Sequence, residues 1–121
     1  MLIRKLTDCP EIVAGDHTKL RELLHPDRGY LFEGRYSLAH AVLEPGNSSR
    51  PHRLKSSEIY FVLSGEAEMH IDSDAAPIRS GEAVVIPAGS VQRIRNTGGV
   101  PFVFLCIVDP AWRPEDEDIL D

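Results

Sequence analysis

The residues with the clearest chemical use in this 121-residue sequence are a histidine and a glutamate, His52 and Glu58. Imidazole and carboxylate groups bind first-row transition metals, and they also exchange protons in catalysis. In an apolar interior the pKa of Glu58 would be raised, and a nearby His52 would be its acid–base partner. Strand alternation places Leu54 on the face of His52 and Tyr60 on the face of Glu58. These positions predict one interior site.

Short apolar runs separated by turn signals predict the strands that position these residues. Nine prolines and nine glycines supply the turns. The segment 18–25 is open between a strand and a single turn. The other runs have the length and the β-branched or aromatic content of strands, and they are 36–43, 58–63, 66–72, 83–86, 91–95 and 102–108. Many short strands with almost no helical period predict an all-β fold, either a sandwich or a closed barrel.

Composition and charge argue against several classes of function. The formal net charge is −6 and the basic residues are scattered, whereas nucleic-acid binding depends on neutralising phosphates. The first residues lack the apolar run of a secretory signal, and no stretch reaches the roughly 20 apolar residues that span a bilayer. Cys9 and Cys106 match no metal or redox spacing, which predicts reduced thiols. We expect a cytoplasmic protein with no nucleic-acid or membrane partner.

Two spaced sets of residues carry a resemblance to a known family. The first set is Gly46, five residues, His52, Arg53, Leu54, three residues, Glu58, six residues and Gly65. The second set is Gly81, five residues, Pro87, Ala88, Gly89, two residues, Gln92, three residues and Asn96. They resemble the cupin motifs G-(X)5-H-X-H-(X)3,4-E-(X)6-G and G-(X)5-P-X-G-(X)2-H-(X)3-N in every spacing and in all but two residue types. The resemblance implies a double-stranded β-helix, or jelly-roll, barrel.

The resemblance also implies a metal site with two altered positions. In cupins the three histidines and the glutamate of the motifs bind a divalent metal inside the barrel. The corresponding positions here are His52, Leu54, Glu58 and Gln92, of which Leu54 has no donor atom and Gln92 offers only a neutral amide oxygen. The implied metal site is therefore degenerate and consists of His52, Glu58 and Gln92, with manganese, iron, nickel or zinc held weakly or absent. His40 is open between a substitute ligand and a surface residue.

Three functions are open at this point. The first is binding of a small molecule, of undefined identity, in a barrel pocket formed by His52, Leu54, Glu58, Tyr60 and Gln92. The second is a metal-dependent enzyme, isomerase-like or dioxygenase-like, that uses the weakened site. The third is a non-catalytic sensing or accessory module whose dimer surface matters more than its pocket. No catalytic residue is assigned, and whether Cys106 reaches the pocket is open.

The chain is predicted to form one structural domain with three parts. Residues 1–35 supply N-terminal strands, residues 36–109 form the cupin barrel, and residues 110–121 leave the barrel as an acidic tail. The first part has more apolar residues than a small barrel needs: Leu2, Ile3, Leu6, Ile12 and Val13. Cupins often bury such a segment against a second subunit, so a homodimer is expected. His17, His25 and His70 match no motif and are predicted at the surface.

Overall fold

The structure of the protein is a computed structural model that describes residues 1–120. The regular elements of this range are strands apart from two short 3₁₀ turns, Leu6–Asp8 and Pro114–Asp116, which confirms the all-β class. The strands are β1 (Glu11–Val13), β2 (Lys19–Leu24), β3 (Ser37–Leu43), β4 (His52–Leu54), β5 (Ser57–Ser64), β6 (Glu66–Ile71), β7 (Asp74–Arg79), β8 (Ala83–Ile86), β9 (Val91–Asn96), β10 (Phe102–Asp109) and β11 (Glu117–Ile119). Neither turn is long and apolar enough for a membrane-crossing helix, and residues 1–120 contain no other helix.

The strands form two antiparallel sheets that face each other as the two halves of a barrel. One sheet has six strands in the order β1-β2-β3-β10-β5-β8, and the other has five in the order β11-β4-β9-β6-β7. Many neighbours in these orders are distant in sequence, because crossover connections run between the sheets as in a jelly roll. In the larger sheet β10 is central, with β3 on one side and β5 on the other.

Alternation along the strands builds an apolar core between the two sheets. Every second residue of β10 from Phe102 to Val108 is buried, and the residues between them are half-buried. The smaller sheet contributes Ala67, Met69 and Ile94 to the same core. Successive side chains of a strand point to opposite faces of the sheet. The residues that alternate in the sequence therefore face the barrel interior and the barrel surface in turn.

The motif glycine between β5 and β6, Gly65, makes a turn that other residues would strain. Its φ is 89°, in the left-handed region, and an added Cβ would lie 2.9 Å from the carbonyl oxygen of Pro101 and 3.1 Å from the Cα of Phe102. The motif asparagine also shapes the backbone, since the buried Asn96 amide donates to the carbonyl oxygen of Leu43 at 2.9 Å. These two motif positions therefore maintain the barrel.

The predicted strands agree with the structure to within one residue at each end, and the ambiguous segment 18–25 contains a strand, β2. Besides the three-residue strands β1 and β4, two strands are absent from the predicted runs. β7 lies at an edge of the smaller sheet and is almost entirely exposed, so it carries no alternating apolar signal. Its Pro77 is tolerated because edge strands need not donate every backbone N–H. β11 has only three residues and lies in an acidic segment.

Residues 110–120 stay on the barrel, whereas the sequence predicted a departing tail. Ala111 is fully buried, and the backbone N–H of Trp112 donates to the hydroxyl of Ser37 at 3.0 Å. β11 then pairs antiparallel with β4 at the edge of the smaller sheet. Backbone pairing holds this strand, and it is independent of the acidic composition that suggested a tail. Asp121 lies outside the described residues.

Candidate functional site

A cavity of about 130 Å³ lies inside the barrel, and segments near both ends of the chain help to close it. Its apolar walls include Ile12, Leu20, Ala39, Leu54, Phe104 and Val108. Its polar groups include Asp16, His52, Glu58, Tyr60, Cys106 and Glu117. A concave, mostly apolar space with a few convergent polar groups is the usual form of a small-molecule site.

The structure brings together the five residues that the sequence predicts for the pocket. His52 and Leu54 are the buried, inward-facing residues of β4, and Glu58 and Tyr60 hold the same position in β5. All four line the cavity. Gln92 of β9 is 1% exposed and pairs directly with His52 across the smaller sheet. It does not line the cavity and instead contacts two residues that do, Glu58 and Tyr60.

A buried chain of two hydrogen bonds connects the larger sheet to the smaller one at this point. The Tyr60 hydroxyl donates to the Gln92 Oε1 at 2.9 Å, and the Gln92 Nε2 donates to the Glu58 Oε1 at 3.0 Å. Because buried polar groups are costly when unpaired, this chain fixes the orientation of the Gln92 amide. The amide oxygen that was expected to face a metal is therefore engaged by the Tyr60 hydroxyl.

Glu58 is an acidic group of the cavity whose pKa is strongly raised. Burial raises its pKa to about 8, and the nearby charges of Asp16 and Glu117 act in the same direction, while the hydrogen bond from Gln92 opposes them. Glu58 is therefore mostly protonated at neutral pH. Its second oxygen, Oε2, has no hydrogen-bond partner among residues 1–120. Since no side-chain oxygen in that range is both fully buried and unpaired, Oε2 is not fully buried. Glu58 lines the cavity, so this oxygen is reached from the cavity.

His52 faces the cavity together with Asp16, a residue that the sequence did not single out. The Nδ1 of His52 lies 2.7 Å from the carbonyl oxygen of Arg50 and donates to it. This hydrogen bond fixes the orientation of the ring, with Nε2 pointing away from Arg50. This Nε2 lies 3.6 Å from the Oδ2 of Asp16. The other carboxylate oxygen of Asp16 accepts the backbone N–H of Thr18 at 3.1 Å, in a turn before β2. That turn gave no recognisable signal of a site in the sequence.

The residues that follow β10 complete the acidic side of the cavity. Trp112 and Glu117 both line it, and the indole Nε1 of Trp112 donates to the Glu117 Oε2 at 2.9 Å. Glu117 belongs to β11, whose pairing with β4 brings it opposite Leu54. The segment interpreted as an acidic tail is therefore part of the wall.

Arg28 is also part of the cavity wall, and its positive charge is already paired. Its guanidinium donates to both carboxylate oxygens of Glu22, at 2.6 and 2.9 Å. Such bidentate pairs are the stronger and more specific form of ion pair. The hydrogen bonds that Arg28 donates to Glu22 raise the pKa of its guanidinium. Arg28 and Glu22 together add no net charge to the wall.

The structure answers the two questions that the sequence left open about His40 and Cys106. Cys106 lines the cavity, and burial together with the charge of Glu58 raises the pKa of its thiol well above the usual value. Its thiol stays protonated and is a poor nucleophile. His40 does not line the cavity, because its neighbours Ala39 and Ala41 occupy the inward positions of β3. It therefore does not replace the missing histidine.

The described residues do not supply the ligands of the metal site that the resemblance implies. Within residues 1–120 there is no group of three or more His, Cys, Asp or Glu side chains arranged to hold a metal ion. Leu54 has no donor atom, and the Gln92 oxygen is engaged by Tyr60. His52 and Glu58 remain, which is fewer than the three protein ligands of a catalytic zinc site. The donor set therefore does not fit the divalent metal that the resemblance implies.

Comparison with known proteins finds similar chains of about the same length. An uncharacterized protein of Methanocaldococcus jannaschii is 33% identical over 90% of this chain and 86% of that protein. An oxalate-binding protein of Thermotoga maritima is 30% identical over 76% of this chain and 71% of that protein. Other curated relatives are longer, and the chain spans between 18% and 47% of their length.

Comparison with solved structures shows the same barrel. The polyketide cyclase RemF from Streptomyces resistomycificus has a TM-score of 0.81 and covers all of this chain and 86% of its own, at 22% identity. At that identity the similarity concerns the fold. In sequence, residues 39–108, more than half of the chain, match the Cupin_2 family, described as a cupin domain. The two motifs, the two-sheet barrel and this match together show that the chain belongs to the cupin family.

Proposed function

We propose that the protein binds a small organic molecule in the barrel cavity and that it does so without the metal used by other cupins. The observation that carries the proposal is the state of the four motif positions. One of them is Leu54, and Gln92 is engaged by Tyr60 and Glu58. The Glu58 Oε2 lines the cavity without a hydrogen-bond partner among the described residues. The polar groups are therefore arranged around a ligand space.

The family relatives support an organic ligand in general terms. The Thermotoga maritima relative is an oxalate-binding protein, and the structurally similar RemF is a polyketide cyclase. Both names refer to small organic molecules, which differ widely in size and charge. Since one fold supports many functions, the ligand of this chain follows from its own wall residues.

Acid–base catalysis without a metal is a second candidate, and the state of Glu58 and His52 favours it. Glu58 is a protonated acid at neutral pH, since its pKa is raised to about 8. His52 donates through Nδ1 to a backbone carbonyl, so its neutral tautomer exposes an unprotonated Nε2. An acid and a base at one ligand are the groups needed for an isomerase-like proton transfer. A metal-dependent reaction would need ligands beyond His52 and Glu58.

Filling the cavity tests the proposed function. Wild type is expected to bind small organic fragments saturably, and Ala39→Phe is expected to abolish this binding because Ala39 lines the cavity. Ala83→Phe is the matched control, because Ala83 is exposed on β8 and outside the cavity. Binding is measured by ligand-observed nuclear magnetic resonance, with circular dichroism to verify the fold of each variant. Fragments that bind folded Ala39→Phe as well as wild type would place the binding site elsewhere.

We also propose that the protein is a homodimer, with the outer face of the larger sheet as its contact. Phe61 and Leu63 of β5 are 39% and 42% exposed although they are large and apolar. The register places Leu105 of β10 beside Phe61 and Ile107 beside Ile59. An apolar sheet face suits a second copy of itself across a two-fold axis. Of the N-terminal apolar residues expected at the interface, Leu2, Ile3 and Val13 are exposed, whereas Ile12 lines the cavity.

A charge on this face is expected to separate the dimer. Phe61→Glu would place a carboxylate against its symmetry partner in an apolar contact. Burying these like charges without partners should strongly lower the affinity of the dimer. Light scattering at micromolar concentration should give a dimer for wild type and a monomer for Phe61→Glu. Val100→Glu is the control, because Val100 is 57% exposed but lies in the loop before β10. A monomeric wild type would contradict the dimer.

A further inference from the structure

We propose that the cavity selects a small organic cation, an ammonium group on a short apolar body, over neutral and anionic molecules of the same shape. This inference rests on the function proposed above. Ligand charge is not determined by the family fold, whereas the sign of the wall charges is a property of this chain. The wall charges, an unpartnered carboxyl oxygen, the aromatic walls and the size of the space all favour the same class of ligand.

The charges that line the cavity are mainly negative. Asp16 and Glu117 contribute carboxylates, and Glu58 contributes a third acidic group. Among the described residues of the wall, Arg28 is the one lysine or arginine side chain, and Glu22 already pairs with it through both oxygens. An anion would meet acids without an unengaged guanidinium or ammonium to balance it. Burying a charge without a partner is costly.

The position of His52 does not reverse this balance. Its Nε2 lies 3.6 Å from the Oδ2 of Asp16, so a protonated imidazole would already have a carboxylate partner. Its Nδ1 is engaged by the carbonyl oxygen of Arg50. Even with His52 protonated, Glu117 leaves the wall with a negative charge.

The carboxyl group of Glu58 provides the specific acceptor. The residue is 6% exposed, and its Oε1 is held by Gln92. Its Oε2 has no partner within residues 1–120 and is reached from the cavity. A buried carboxyl oxygen that faces an open space lacks the hydrogen-bond partner that buried polar groups normally have. An ammonium group has three N–H donors and no acceptor, so it would pair with the carboxylate form of this group.

Aromatic rings form a further part of the wall. Tyr60 and Phe104 line the cavity with their ring centroids 4.7 Å apart, and Trp112 lines it from the C-terminal segment. Aromatic faces attract organic cations through their quadrupole, and carboxylates attract them through charge. The combination is typical of ammonium recognition, and it offers nothing comparable to a carboxylate or a phosphate.

The volume limits the size of the ligand. The cavity of about 130 Å³ is smaller than the roughly 300 to 1,000 Å³ of pockets for drug-sized molecules. An apolar cavity of roughly 150 Å³ accommodates a molecule the size of benzene. A five-membered ring with one substituent is therefore an appropriate probe. The apolar side chains of Leu20, Ala39 and Val108 would contact its ring.

The test compares three probes that share one ring and differ in charge: cyclopentylammonium, cyclopentanol and cyclopentanecarboxylate. Isothermal titration calorimetry with wild type at pH 7 should give the tightest binding for the ammonium, at least about tenfold tighter than for the alcohol, which is the scale of a charge-assisted hydrogen bond. The carboxylate should bind more weakly than the alcohol.

Variants identify the carboxylates that are responsible. Glu117→Gln keeps an oxygen for the Trp112 indole but removes a charge, so it should weaken cyclopentylammonium binding by about tenfold and leave cyclopentanol unchanged. Glu58→Gln should also weaken cyclopentylammonium binding, because a glutamine whose oxygen accepts from Gln92 would turn an N–H donor towards the cavity. Glu115→Gln is the control, because Glu115 is exposed and outside the cavity. Melting temperatures verify that each variant is folded.

The outcomes separate this inference from the proposed function. Binding of the alcohol or the carboxylate as tightly as the ammonium would overturn the charge selection while leaving an organic ligand site intact. Absence of binding by all three probes, together with no fragment binding in wild type, would overturn both. An ammonium preference that persists unchanged in Glu117→Gln and Glu58→Gln would overturn the assignment of these carboxylates.

Discussion

Replacing Leu54 and Gln92 together by histidine is expected to raise the affinity of the protein for manganese, nickel or zinc by at least about 100-fold. Loss of a residue that merely supports a metal ligand costs roughly 10- to 100-fold in affinity, so the gain of two direct ligands should exceed that range. The double variant would present three imidazoles and one carboxylate, which match divalent first-row metals.

The geometry for this gain is present in the barrel. Position 92 pairs with His52 across the β4–β9 register, and position 54 is the next inward-facing residue of β4. The Gln92 Nε2 lies 3.0 Å from the Glu58 Oε1, so the side chains of the two sheets meet. The substitution also removes the amide that now engages Glu58. Bound metal should raise the melting temperature, because a ligand of the native state stabilises it.

A matched control separates ligand geometry from histidine content. Arg53→His with Ala83→His adds two histidines at exposed positions of two different strands, β4 and β8, away from the cavity. Calorimetric titration of metal into both double variants and wild type should show tight binding only for the inward pair. Equal affinity of the two double variants would mean that positions 52, 54, 58 and 92 do not converge on one metal-sized centre.

Replacing Glu58 by glutamine is expected to stabilise the protein at alkaline pH and to have little effect at acidic pH. The pKa of Glu58 is about 8 in the folded protein, against 4.5 as its ordinary value. The folded state therefore retains the proton while the unfolded state loses it. Stability from this group is complete below about pH 4.5 and is lost progressively as the pH rises to about 8. Glutamine stays neutral and preserves an oxygen for the Gln92 N–H.

The expected difference between Glu58→Gln and wild type is on the order of 4 kcal/mol at about pH 8.5, from 1.36 kcal/mol for each pKa unit. Urea unfolding of both proteins across about pH 4.5 to 8.5 measures it. Glu115→Gln, at an exposed position, should follow wild type at every pH. A stability difference that does not change with pH would mean that Glu58 titrates normally and that the cavity is well solvated.

The sequence predicts the barrel well because its constraints are local. Gly65 is required by a left-handed φ, and alternation in β5 fixes which side chains face inward. The inward set of His52, Leu54, Glu58 and Tyr60 follows from the same period of two. The cytoplasmic location stays a prediction.

The remaining wall residues could not be predicted because long-range packing brings them to the cavity. Asp16 lies in a turn before β2, and Glu117 lies in a three-residue strand whose acidic neighbours suggested a solvated tail. His25 shows the same effect. Its Nε2 lies 2.7 Å from the carbonyl oxygen of Trp112, so it is buried where the sequence predicted a surface histidine. No periodic pattern links residues so distant along the chain.

The two closing segments around Asp16 and Glu117 allow ligand preference to diverge separately from the barrel. His52 lies on β4, which pairs with β9, and Glu58 lies on β5, which pairs with β10. Substitutions in these strands affect folding as well as binding. The segments 14–18 and 112–117 contribute side chains to the wall through a turn and a short edge strand. Homologues could exchange these charges during evolution while the strands stay under separate selection for stability. Recombining these two segments between cupins is then a direct route to engineering new specificities on this scaffold.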